Sequence, residues 1–323
     1  MADEWMPDVL GAPFHQRTLE LEPDAEGPVA VTLVRRLPGL FARLTAPLRD
    51  VDVLYVHGWS DYFFQTGLAE FWNGLGARFY ALDLRKYGRS LREGQTPGYV
   101  ASLDEYDADI DAALATMPGR AGRRLVLMGH STGGLTLTLW AARHPGVAAG
   151  LVLNSPWLEL QTGALGRQAL TPLVNARARL DPLGAQPAVD LGFYTRAQRE
   201  LETLPAGPEQ WRPERGFRTH PGWLAAVLAG HARIAAGIDV GCPVQVLLSA
   251  ASAHPFSWSD EMTSADAVLT VDDIARAATR IGHDVTLTRI DGAIHDVFLS
   301  RADARDAAYA AVRRWALTGA LRN

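Results

Sequence analysis

Arg124-Leu125-Val126-Leu127-Met128-Gly129-His130-Ser131-Thr132-Gly133-Gly134 decides the architecture, and apolar residues at helical spacing continue it to Arg143. Residues 124–128 are an apolar run that reads as a strand, and 132–143 read as a helix. The turn between them matches G-x-S-x-G. A serine at the apex of so tight a turn presents its hydroxyl above the backbone. Small neighbours let the two segments approach without Cβ clashes. The helix start aims N–H groups at the same point, where they can hold developing negative charge. A glycine-rich turn without chemistry would leave the serine at the apex unexplained.

Outward from this unit, strands alternate with helical patterns, which predicts an α/β protein with a mostly parallel sheet of eight strands flanked by helices. Segments 17–22 and 29–36 alternate and read as an antiparallel pair at the sheet edge. Further strands are expected at 51–57, 77–82, 124–128, 147–153, 243–248 and 284–290. Helices are expected at 62–75, 103–117, 132–143, 271–281 and 302–317. No clean strand is visible between 156 and 236. Prolines at 156, 172, 182, 187, 205, 208, 213 and 221, with Trp157, Trp211 and Trp223, predict short helices and loops there. This stretch is an insertion after strand six. It divides a core of 1–155 and 237–323.

The 323 residues are 48% hydrophobic and 21% charged, with a net charge of -5. That balance suits a folded domain, and the absence of a long basic run argues against a nucleic-acid partner. The single Cys242 excludes an internal disulfide and a cysteine-based zinc site, and it reads as a small packed hydrophobe. The longest apolar stretch, 125–139, is cut by His130 and glycines, so no stable membrane insertion is expected. The acidic start Met1-Ala2-Asp3-Glu4-Trp5 lacks the features of a signal peptide, and a cytoplasmic location is expected. No phosphate-binding, dinucleotide-binding or H-E-x-x-H motif occurs, so neither a cofactor nor a metal is expected. The charged turn Asp83-Leu84-Arg85-Lys86-Tyr87-Gly88-Arg89-Ser90 reads as local hydrogen bonds and an ion pair. Oligomeric state leaves no signal.

A serine hydroxyl needs a base, and the base an orienting acid. In this strand–turn–helix context the chain order is serine, acid, histidine. His144, His220, His231, His254, His283 and His295 follow Ser131. His144 suits a helix C-terminus. His220 and His231 lie in the insertion, and His283 precedes a strand. His295 lies in Asp291-Gly292-Ala293-Ile294-His295-Asp296, just past the last strand, and is the candidate base. For the acid, Asp260, Glu261, Asp266 and Asp272 follow the strand 243–248. Asp266 leads an apolar segment, Ala267-Val268-Leu269, that suits an anchored, inward-facing carboxylate. Asp260 and Glu261 lie in a polar stretch, Asp272 resembles a helix cap, and Glu159 is the reserve. Oxyanion donors are expected at the amides of Thr132 and Trp59, the latter in the loop His57-Gly58-Trp59-Ser60, which His57 would brace.

The set His57-Gly58, Asp83-Leu84-Arg85 with Gly88-Arg89-Ser90, Gly129 to Gly134, and His295-Asp296 resembles the α/β-hydrolase superfamily over about residues 15–318. Within it, the chain looks like the lysophospholipase and monoacylglycerol lipase group, whose domain is often termed serine aminopeptidase S33-type. The resemblance implies Ser131 as nucleophile, His295 as base, Trp59 and Thr132 as oxyanion donors, and 156–236 as a helical cap. It implies a carboxylic ester hydrolase acting on a small apolar ester through an acyl-enzyme. One departure concerns the acid, which such enzymes carry a few residues after strand seven; here Asp266 is displaced by an insertion containing His254 and Trp258. Cap aromatics favour an acyl or aromatic ester, with His130, Trp157, Tyr194 and Trp223 as candidate substrate contacts. Alternatives are an amidase or aminopeptidase, a cofactor-free perhydrolase, and a small-ligand sensor on a hydrolase scaffold.

Overall fold

The computed structural model describes residues 4–120, 122–184, 191–254 and 256–321; Pro187 lies outside them. The strands are β1 (Met6–Pro7), β2 (His15–Asp24), β3 (Gly27–Arg36), β4 (Val51–Val56), β5 (Arg78–Asp83), β6 (Arg124–His130), β7 (Gly150–Asn154), β8 (Val244–Ser249) and β9 (Val285–Ile290). They join in one sheet in the order β1-β2-β3-β5-β4-β6-β7-β8-β9. The pairs β1–β2, β2–β3 and β3–β5 are antiparallel, and every later pair is parallel. The sheet therefore has nine strands where eight were expected. The extra one is β1, two residues paired with His15 and Gln16, too short to carry a period.

The central strands are buried on both faces because their residues alternate between two cores. On β4, Leu54 and Val56 enter one core, which α3 (Tyr106–Thr116), α4 (Thr132–Arg143) and α8 (Val271–Ala278) cover. Val53 and Tyr55 enter the other, covered by α2 (Thr66–Gly74) and α9 (Ala302–Trp315). A short helix α1 (Leu40–Thr45) buries none of its residues. Helix α2 starts four residues later than its apolar pattern suggests. The Phe63 amide is held by Asp83 Oδ1 at 2.9 Å, which keeps that segment extended across the strand ends.

Between β7 and β8 lie α5 (Gly163–Leu180), α6 (Phe193–Glu200) and α7 (Pro221–Ala236). The expectation of only short helices is corrected here, since α5 and α7 have 18 and 16 residues. Pro172 sits inside α5 on an exposed face, where water can satisfy the carbonyl its missing N–H leaves free. Among the described residues no helix is long and apolar enough to cross a membrane.

Candidate active site

Ser131 sits between β6 and α4 with φ 51 and ψ -117, a conformation that costs a non-glycine residue strain and persists only when neighbours enforce it. The enforcement is local. A Cβ on Gly133 would lie 2.2 Å from the His57 carbonyl oxygen, and one on Gly129 would lie 2.7 Å from the Gly134 nitrogen. Only glycine lets β4, β6 and α4 meet so closely. The Ser131 amide donates to Asn154 O at 3.0 Å, and its carbonyl accepts from Trp157 N at 3.0 Å.

The loop after β4 lies against the serine, since a Cβ on Gly58 would stand 3.1 Å from Ser131 Cβ. His57 braces that loop. Its Nδ1 donates to Gly58 O at 2.8 Å, and its Nε2 accepts the Leu84 amide at 3.2 Å. Burial holds the ring below its ordinary pKa, so it stays neutral in this role. Among the described residues, neither the Trp59 nor the Thr132 amide has a protein acceptor. Both are available donors next to Ser131.

His295 and Asp266 meet on the other side. Nδ1 of His295 lies 2.9 Å from Asp266 Oδ2, and both side chains are buried. The other oxygen, Oδ1, accepts from Val268 N at 2.7 Å and Leu269 N at 2.8 Å, so the carboxylate is fixed from both ends. The insertion before Asp266 loops out and returns. Asp266 forms a parallel bridge with Ser252, and its amide donates to Ala251 O at 2.9 Å. Asp266 thus stands just past the end of β8 despite its distance along the chain. The alternatives are engaged elsewhere or exposed: Glu159 pairs with Arg167 at 2.7 Å, Asp272 with Arg289 at 2.6 Å, and Asp260 and Glu261 are exposed.

His130 is buried with its ring 4.9 Å from that of His295, and neither of its nitrogens has a hydrogen-bond partner among the described residues. Burial and the neighbouring His295 push its pKa well below the usual range, which keeps the ring neutral. Tyr194 of α6 meets the His295 ring edge-on at 5.4 Å. Trp223 of α7 lies 3.7 Å from the Trp59 ring, and Trp157 lies 6.0 Å from Trp223. His130 and Tyr194 therefore lie against His295, while Trp223 lies against Trp59 of the loop after β4 and Trp157 lies beyond it. A cavity of about 10 Å³ lies among Gly58, Tyr87, Thr132 and Trp223. The other histidines are elsewhere: His144 bonds the α4 carbonyl of Trp140, His220 the carbonyl of Leu183, and His283 is exposed.

The charged turn after β5 is saturated. Arg89 pairs with Asp83 and Asp8, Arg85 with Asp109, and Lys86 with Asp24 and Glu26. Cys242 is half-buried at the edge of the core, where burial pushes its thiol up to about 11. Among the described residues no cluster of His, Cys, Asp and Glu could hold a metal ion.

Two polar clusters escaped the sequence reading. Asp61, two residues past Trp59, pairs with Arg212 of the inserted segment at 3.2 Å. Arg212 also donates to Gln198, whose amide reaches Tyr194 Oη at 3.2 Å. Burial pushes the Asp61 carboxyl up to about 7, with Arg212 pulling it back. No local pattern marks a pair so far apart in the chain. The second cluster, Asn154, Gln65 and Asp296, holds the loop that carries His295. Its only signal is the His295-Asp296 dipeptide.

A parallel sheet with this strand order and a serine on the turn after β6 is the architecture of an α/β hydrolase. The chain matches the family described as Serine aminopeptidase, S33, over residues 49–301, and it belongs to that family. No curated protein matches it. Among solved structures it is similar to a monoacylglycerol lipase from Paleococcus ferrophilus, with 22% identity, 88% of this chain and 98% of that one covered, and a TM-score of 0.62. A soluble variant of monoglyceride lipase from Saccharomyces cerevisiae, bound to a substrate analog, gives 15% identity, coverages of 93% and 95%, and 0.65. A carboxyl esterase from Bacillus coagulans in complex with glycerol gives 14% identity, coverages of 93% and 97%, and 0.62. At these identities the likeness is one of fold.

Proposed function

We propose that this hydrolase is a serine esterase that cleaves small apolar carboxylic esters through an acyl-enzyme. The observation that carries the reading is the His295–Asp266 hydrogen bond beside a strained serine flanked by two unclaimed amides. Because Nδ1 of His295 is committed to Asp266, Nε2 is the nitrogen left for the serine proton. His295 takes that proton as Ser131 Oγ attacks the ester carbonyl, and Asp266 stabilises the imidazolium. The amides of Trp59 and Thr132 hold the oxyanion, each worth about 3 kcal/mol of barrier. His295 then returns the proton to the leaving alcohol. Water, activated by the same nitrogen, releases the acid.

The inserted segment 156–236 acts as a cap on a core of 1–155 and 237–323. Trp157 and Trp223, with Trp59 beneath them, give an apolar wall for an acyl or aromatic group, and Tyr194 and His130 line the side next to His295. The cavity beside Thr132 is too small for an acyl chain. Enlarging it means displacing Trp223 of the cap or Tyr87 of the core. The similarity to monoacylglycerol lipases and a carboxyl esterase agrees with ester chemistry.

A chain-length series of p-nitrophenyl esters, beside an aminoacyl-arylamide panel, tests the reading. Ester turnover that falls on the order of 10⁶-fold in Ser131→Ala is the expected result. Undiminished turnover in that variant, or cleavage of the arylamides alone, would overturn it.

A further inference from the structure

We propose that Asp296 is a positioning residue for His295, a buried carboxylate whose one available cationic counterpart among the described residues is the imidazolium that forms on His295. The proposal rests on the hydrolase reading above, because it gives Asp296 a role in stabilising a charge that appears only during the proton transfer.

Every contact of the Asp296 side chain is an N–H donor. Oδ1 accepts from Asn154 Nδ2 at 2.7 Å and from Phe298 N at 3.0 Å, and Oδ2 accepts from Gln65 Nε2 at 3.2 Å. An ionised carboxylate, which only accepts, fits such a setting. The Phe298 bond is an ordinary cap of the short turn Val297–Leu299. The bonds from Asn154 and Gln65 come from the end of β7 and the segment before α2, far away in sequence, and a cap does not require them. Asn154 Oδ1 also accepts the Val297 amide at 3.2 Å, so one amide grips both the carboxylate and the backbone beyond it.

No arginine or lysine pairs with Asp296 among the described residues, although three other buried carboxylates around the strand ends have such partners: Asp83 with Arg89, Asp61 with Arg212, Glu159 with Arg167. The titratable groups that face Asp296 from the surrounding elements are Tyr55 on β4, Asp61 after it, Tyr194 on α6 and Tyr309 on α9. None of them can be a cation. His295 is met by Asp266, His130 and Tyr194, and Asp296 is its neighbour in the chain. Burial raises the Asp296 carboxyl above its ordinary range, and its three donors and His295 draw it back. A buried anion fixed by dipoles, one residue along the chain from a ring that becomes positive, is a preorganised charge of the kind that lowers a barrier.

The test is Asp296→Asn, read by two titrations. The ring titration of His295 is followed by NMR on ¹⁵N-histidine-labelled protein, assigned with His295→Gln. The pH profile of kcat/KM is taken with p-nitrophenyl butyrate. Removal of the charge is expected to move both midpoints down by about one pH unit and to lower kcat about tenfold with KM unchanged. Midpoints and kcat that stay in place in a folded Asp296→Asn protein would overturn the proposal. The wild-type protein supplies a second check that needs no variant fold, the ¹³C shift of the Asp296 carboxyl. An ionised carboxyl at pH 7 is expected, and a neutral one would overturn the proposal. The NMR titration needs no substrate. A ring shift in a protein that hydrolyses no ester would support the coupling and count against the hydrolase reading alone.

Discussion

The loops at the carboxyl ends of the strands and the inserted helical segment are held by different physics. In the loops, backbone meets backbone. Gly133 has no room for a Cβ beside His57, Ser131 is held in a strained conformation, and both oxygens of Asp266 are occupied. The inserted segment is uneven, with α7 burying nine of its residues and α5 held loosely. Helix α5 buries only Arg167, and Leu165, Leu173 and Leu180 are 82%, 69% and 86% exposed. Its polar ties to the core include Arg212 on Asp61 and the Phe217 amide on Ser60 Oγ at 3.0 Å. Within the segment's root, His231 of α7 reaches Trp157 O at 2.8 Å. The contrast teaches where sequence change is tolerated. The proposed chemistry depends on close placement of the loops, while the exposed face of α5 can vary.

The largest way to break that contrast is at the acid. Asp266→Asn should lower kcat on the order of 10⁴-fold, because the amide favours the wrong tautomer of His295. Glu159→Gln, in the rejected candidate, should leave kcat within about tenfold, its ion pair with Arg167 being structural. Steady-state kinetics on one ester separates the two.

Next comes the elbow itself. Gly133→Ala should cost about 3 kcal/mol in urea unfolding, since the new Cβ meets backbone that cannot rotate away.

The root of the inserted segment should show itself through pH. Burial lowers the His231 pKa from 6.5 to about 4. Its Nε2 donates to Trp157 O, and its Nδ1 has no partner to receive a second proton. The unfolded chain therefore takes up a proton between pH 6.5 and 4 that the folded one refuses. Stability should be full above pH 6.5 and fall by roughly 3 kcal/mol on acidification to pH 4. His231→Gln, which keeps an N–H donor and cannot titrate, should flatten that part of the stability profile. The smallest effect belongs to the exposed face of α5. Leu173→Ser should change stability by less than about 0.5 kcal/mol, and a loss near that of Gly133→Ala would show that this face is not solvent-facing in solution.

The same contrast separates what the sequence reveals from what it hides. The turn at 129–134 was legible because strand, serine and helix are contiguous, and steric need leaves its mark as glycine. Asp266 was legible despite the inserted loop because an acid ahead of apolar residues is anchored by its own neighbours, the amides of Val268 and Leu269. Strand β1 was not, since pairing of two residues is set by its partner strand and not by any period. The length of α5 was hidden by Pro172, a helix breaker tolerated here on an exposed face where water can satisfy the freed carbonyl. The Asp61–Arg212 pair and the Asn154–Asp296–Gln65 cluster were hidden because they join segments that only the folded chain brings together.

The central claim, that Ser131 is the nucleophile activated by His295, is tested most directly by covalent labelling. The protein is treated with a fluorophosphonate at pH 8, and the adduct is read by intact mass and peptide mapping. A single adduct on Ser131, absent from Ser131→Ala and slowed by orders of magnitude in Asp266→Asn, is the predicted result. A protein that hydrolyses esters while Ser131 stays unlabelled, or that takes the label equally well as Ser131→Ala, would contradict it.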